Sequence, residues 1–145
     1  MLSRLLFIIL LSCSSVTAFA ATAQIDYNPA NHIDKLTNFL IVPTGINDDT
    51  KVTQAIDYQV SRVLTQAGYN EYQRVPDFLV NYSLAPKNGK QDFIIEAYDP
   101  SRVLLWRGSL TLAKWPTQSL AQREVLQKAL IKILAKFPRK LDPQE

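Results

Sequence analysis

The side chains that could do chemistry are few and scattered. The 145-residue chain holds one Cys and one His. No disulfide can close within it, and a Cys/His zinc site is not available. His32 follows an Asn28-Pro29-Ala30-Asn31 turn, with no nucleophile or second His near it in sequence. A surface residue is expected there rather than a general base. The acidic pair Asp48-Asp49 precedes a helical pattern and reads as a cap facing the positive end of a helix dipole. Asp77, Glu96 and Asp99 are acids that only folding could bring together. Such a pair would support hydrolysis by general acid and base, but it needs a cleft and shifted pKa values. No G-x-S-x-G, P-loop, H-E-x-x-H or dinucleotide fingerprint is present. No metal and no cofactor is expected.

Charge gives one asymmetry. Lys128, Lys132 and Lys136 stand four residues apart, and Arg139 and Lys140 follow. Between Thr117 and Lys140 there are six basic residues and one acid, Glu124, while the rest of the exported chain is mildly acidic. Two readings stay open: a solvated helix face, or a weak and salt-sensitive surface for anionic lipid or polysaccharide. The total formal charge, +3, makes no case for nucleic acid.

The first residues read as an export signal. Met1–Arg4 carries a positive charge, Leu5–Leu11 is wholly apolar, and small residues follow. Residues 1–20 are taken as the leader. Ala18-Phe19-Ala20 and Ala21-Thr22-Ala23 both fit ordinary signal peptidase, and Leu10-Leu11-Ser12-Cys13 is similar to a bacterial lipobox. The cut therefore falls after Ala20, after Ala23, or before an acylated Cys13. Lipidation would place the protein on a membrane, since each buried methylene contributes roughly 0.8 kcal/mol. Any other cut leaves a mature chain free in the periplasm.

Residues 21–145 are long enough for one domain, and 47% of the whole chain is hydrophobic. Its centre is Pro76–Leu112. Phe78–Ala85 alternates, with Phe78, Val80, Tyr82 and Leu84 on one side. The run Pro86–Lys90 breaks it with Asn-Gly, and a second strand covers Phe93–Tyr98. Asp99-Pro100-Ser101 makes the next turn, and Val103–Leu112 the third strand. Leu104, Trp106, Leu110 and Leu112 share one face of it; Val103, Leu105, Arg107, Ser109 and Thr111 share the other. Short connections predict an antiparallel meander. Gly108 within a strand predicts a bulge or a close packing contact. Ala23–Tyr27 and Lys35–Pro43 add N-terminal strands, and Tyr69–Val75 reads as a loop.

Two amphipathic helices flank the meander. Val52, Ile56, Val60, Val63, Leu64 and Ala67 recur at helical spacing, with Gly68 as the stop. A second helix starts near Ser119, where Ser119 and Gln122 fit a capping box. It carries Leu126, Ala129, Leu130, Ile133, Leu134 and Phe137, and ends at Pro138. The expectation is an α+β domain, an antiparallel sheet with both helices on the Trp106 face. Arg107 then faces solvent, and its loss should leave stability nearly unchanged. Val103, Leu105 and Arg107 become a candidate partner face.

In this order the residues form a pattern. It runs Asp26-Tyr27 and Pro29, Gly68-Tyr69, then Pro76, Asp77, Val80 and Tyr82. Asp99, Trp106-Arg107-Gly108 and Phe137-Pro138 follow. The pattern resembles the bacterial domain-of-unknown-function family 4136 across essentially the whole mature chain. The resemblance implies a small α+β envelope domain, often a lipoprotein, and carries over no catalytic residue. Family members often have Gly or Ala before the lipobox Cys, whereas Ser12 precedes Cys13 here. The expected function is a non-enzymatic binding or assembly module of the cell envelope. The alternative is a hydrolase using a carboxylate pair made by the fold.

Overall fold

The computed structural model describes residues 21–42, 46 and 49–141. Cys13, the cleavage sites up to Ala20, Asp48 and the strand exit at Pro43 and Gly45 lie outside the described residues. Six strands form one sheet. They are β1 (Gln24–Tyr27), β2 (Asn38–Ile41), β3 (Asn70–Glu71), β4 (Phe78–Lys87), β5 (Lys90–Tyr98) and β6 (Leu104–Leu112). Two helices, α1 (Thr50–Gln66) and α2 (Ser119–Leu134), lie against it. The order across the sheet is β1-β6-β5-β4-β2-β3.

The meander is antiparallel, as its short turns require. Asn88 and Gly89 turn β4 into β5 with positive φ at both positions. β4 continues through Pro86 to Lys87, past the point where the sequence pattern breaks. The sheet as a whole is mixed, which corrects the antiparallel expectation. β2 pairs parallel with β4, Phe39 opposite Phe78 and Ile41 opposite Val80. The cause is α1: a full helix between two strands returns the chain to the end it left from. Asp77 fixes this join. Its Oδ2 accepts from the Thr37 and Asn38 amides at 2.9 and 2.8 Å, and its own N–H donates to Asn38 O. The loop after α1 is also more ordered than expected, since β3 pairs with β2.

Both helices cover the same sheet face. α1 buries Val52, Ile56, Val60 and Leu64, and α2 buries Leu126, Ala129, Leu130, Ile133 and Leu134. They meet Phe78, Val80 and Tyr82 of β4, Phe93 and Ile95 of β5, and Trp106 and Leu110 of β6 in one core. An aromatic cluster closes one end. The Trp106 and Phe137 rings lie 4.8 Å apart, and Tyr69 sits edge-on to Phe78 and Phe137. The Tyr69 hydroxyl donates to Pro138 O at 2.9 Å. Several of the motif residues of the sequence pattern therefore meet each other in the interior. Their packing accounts for their place in the pattern.

Local details depart from expectation in two places. Gln118, not Ser119, is the N-cap of α2, and it makes no side-chain cap bond. Gln122 Nε2 donates to Pro116 O instead of closing a capping box. At β6 the register shifts between Ala97 and Tyr98: Trp106 opposes Ala97 and Leu104 opposes Tyr98. Leu105 is the extra residue of this bulge. Gly108 is the close contact: a Cβ added there would run into Ile133 and the Trp106 indole.

Candidate functional site

Of the lone groups considered as catalysts, His32 is exposed and left-handed (φ 50), between two short 3-10 turns. Asp49 caps α1 by accepting from Lys51 N at 2.9 Å. The Lys51 amide first, and then the Ser119 hydroxyl, hold its carboxyl below the ordinary range. The three acids weighed as a catalytic set each serve a structural contact. Asp77 binds the start of β2. Asp99 Oδ1 accepts from Val103 N at 2.8 Å in the β5–β6 turn. Glu96 accepts from Arg107 Nε at 2.6 Å and from the Tyr98 hydroxyl at 2.7 Å. Among the described residues no group of three His, Cys, Asp or Glu could hold a metal. No described helix is long and apolar enough to cross a membrane.

On the sheet face opposite α1 and α2 the side chains fall into rows set by strand register. Asn81, Glu96, Arg107 and Asp26 form one row across β4, β5, β6 and β1. Glu96 is only 8% exposed, and Arg107 and the Tyr98 hydroxyl are its hydrogen-bond partners. The Glu96 hydrogen bond raises the Arg107 guanidinium pKa further and keeps it charged. Ala85, Asp92 and Thr111 form a second row. Burial pushes the Asp92 carboxyl up, but the Thr111 hydroxyl and Lys87 more than reverse this, and it ends below the ordinary range.

The end of this face is apolar. Leu40, Leu79, Tyr98 and Leu104 follow one another across β2, β4, β5 and β6. All four are half-buried, and Val42 and Val103 beside them are exposed. A cavity of about 340 Å³ opens here, lined by Val42, Leu79, Asn81, Tyr98 and Arg102. Asn81 Oδ1 is buried and accepts no hydrogen bond from a described residue. Arg102 sits at the mouth with a left-handed backbone (φ 66).

The candidate partner face is thus partly rebuilt. Val103 is exposed as expected. Leu105 belongs to the core at 8% exposure, because the bulge turns it inward. Leu104, Leu79 and Tyr98 take its place on the open side. Alternation already sets Leu79 opposite the Phe78 face, but it puts Leu104 with Trp106, because it takes β6 as unbroken. Arg107 lies on this face but is no bystander. Arg107→Ala leaves a buried carboxylate without its cation. We expect a loss of about 1–2 kcal/mol in chemical denaturation, kept low because the guanidinium is itself half exposed. Glu96→Gln in the same chain should recover part of that loss.

The basic ladder also divides. Lys128, Lys132, Lys136 and Arg139 are exposed. Lys140 is drawn into the fold: its N–H donates to Ala67 O and its Nζ to Thr37 Oγ1 at 3.1 Å. Lys128 and Lys132 border a groove between α2 and β6, joined there by Lys114. Lys114 stands in a loop without periodic pattern, so nothing in the sequence links it to the ladder.

No family model matches the chain, and no curated protein does. Solved structures do. A DUF4136 family protein from Bacteroides thetaiotaomicron superposes with a TM-score of 0.63 at 9% identity, covering 80% of this chain and 95% of that one. The PelC dodecamer from Paraburkholderia phytofirmans gives 0.56 at 12% identity, over 80% and 96%. At these identities the likeness is one of fold. The motifs of the sequence and the fold of a solved member point the same way: this chain resembles domain-of-unknown-function family 4136 in both.

Proposed function

We propose that this chain is an exported cell-envelope module that binds a protein partner and does no catalysis. The partner lies on the open sheet face at its Tyr98 end. The observation that carries this reading is the half-exposed apolar row Leu40, Leu79, Tyr98, Leu104, set beside the ordered Glu96–Arg107 pair. An apolar patch rimmed by charge is the ordinary form of a protein docking site, and Tyr and Arg are the side chains that most often anchor one. The leader-like residues 1–20 support export. Lipidation at Cys13 would keep the module on a membrane, and the mass of the mature protein reads that directly. The hydrolase reading loses support because Asp77, Glu96 and Asp99 each hold up the fold. PelC of Paraburkholderia phytofirmans is a dodecamer, so a further copy of this chain is one partner of the right shape.

The test is site-specific photo-crosslinking in intact cells. Probes at Val42 and Val103 should capture one common protein, and a probe at Tyr58, exposed on α1, should not. The product should vanish when Tyr98→Ala is added. The same products from all three positions, or none from Val42 and Val103, would sink the reading. Sedimentation of the purified protein separates self-association from a foreign partner.

A further inference from the structure

A second surface, on the other side of the molecule, has a different chemistry. The groove between α2 and β6 encloses about 290 Å³. Its floor is Leu110, Leu112, Val125 and Ala129, and its rim is Lys114, Lys128 and Lys132. Among the described residues no carboxylate lines it. Among the described residues none of the three lysines has an ion-pair partner. We propose that this groove takes an anionic phospholipid, with its phosphate among the three ammonium groups and a segment of one acyl chain on the floor.

Three features point to this occupant. Unpaired cations around an apolar floor complement a ligand that is anionic at one end and hydrocarbon at the other. At about 30 Å³ per water, the groove holds the volume of roughly ten waters. That suits part of one chain and not a whole lipid, so the rest stays in the bilayer and the protein rests on its surface. The chain also enters here, since Ala21 lines the groove. A cut after Ala20 would put the new α-ammonium on the same rim. An anchor at Cys13 would sit eight residues away, within about 29 Å if extended.

The same lysines on a merely solvated face would attract phosphate but ignore the chain. This is the difference to measure. The mature protein is titrated with vesicles of phosphatidylglycerol or of phosphatidylcholine. It is also titrated with soluble dihexanoyl-phosphatidylglycerol and with its headgroup alone, glycerophosphoglycerol. We expect binding to the anionic vesicles only, weakened by salt. At about 1 kcal/mol per cation near an anionic surface, the Lys128→Gln, Lys132→Gln double variant should lose affinity on the order of 30-fold. Dihexanoyl-phosphatidylglycerol should shift the methyl resonances of Leu110, Leu112 and Ala129, and the headgroup alone should not. Ala113→Asp, an exposed change at the groove, should abolish those shifts and leave the fold intact. Equal binding to both vesicle types would overturn the proposal. So would methyl resonances that stay still with the short-chain lipid, or headgroup binding as tight as the lipid's. None of these outcomes bears on the open sheet face, which is tested by its own crosslinks.

Discussion

Trp106→Ala should unfold the protein under conditions that leave the parent native. Trp106 is fully buried and packs edge-to-face on Phe137, with Ile133 and Gly108 beside it. It is among the largest side chains in the core, and it joins β6 to the end of α2. Truncation to Ala opens a cavity that helix and sheet cannot both collapse into. The expected cost is about 3–5 kcal/mol, against a total of about 5–15 for an ordinary domain. The midpoint in urea should fall far or the transition vanish. An unchanged midpoint would mean the indole carries no packing. Trp106→Phe is the informative control. The indole Nε1–H is buried and donates to no described residue, contrary to the usual partner for a buried Trp. Phe removes that unsatisfied donor along with the extra ring, so its cost should be much less than its lost volume implies.

Gly108→Ala should also destabilise the protein clearly, although it adds only one methyl. A Cβ at position 108 would fall well inside van der Waals contact of Ile133 Cγ2 and Trp106 Cη2. Neither neighbour can yield freely, since both are fully buried. Trp106 and Gly108 are two apart on one strand and so share a face, and the indole lies across the glycine. Overpacking of this kind costs typically 1–3 kcal/mol, and Gly108→Val should exceed that range. Thermal unfolding of the three proteins should rank Gly, Ala, Val from most to least stable. If Ala were as stable as Gly, helix α2 would have room to move outward, and the tight α2–β6 seam described above would be wrong. The small residue is required by the close approach of helix to sheet. No positive φ is involved at this position.

Much of this protein is written locally. The meander is legible because period-two alternation and the turn residues Asn88-Gly89 and Asp99-Pro100 act over a few residues each. Both helices are legible for the same reason: Val52, Ile56, Val60 and Leu64 repeat at helical spacing, and so do Leu126, Leu130, Ile133 and Leu134. The one-sided packing followed from having two amphipathic helices and one apolar sheet face. The burial of Trp106 follows from its place among Leu110 and Leu112.

Tertiary structure decided the rest, wherever the deciding partner is far away in the chain. β2 runs parallel to β4 because α1 intervenes, and Asp77 locks that pairing across 40 residues. The bulge at Leu105 depends on how β6 lies against β5. It moves Leu105 into the core and leaves Leu104 opposite Tyr98, so the exchange of Leu105 for Leu104 on the open face was not legible from alternation. Lys140 leaves the ladder because Thr37 and Ala67 receive it, and Lys114 joins Lys128 and Lys132 only where α2 crosses β6. A sequence fixes spacing along one element. Which charges end up around one groove is set by packing between elements, and that is where both candidate surfaces of this protein arise.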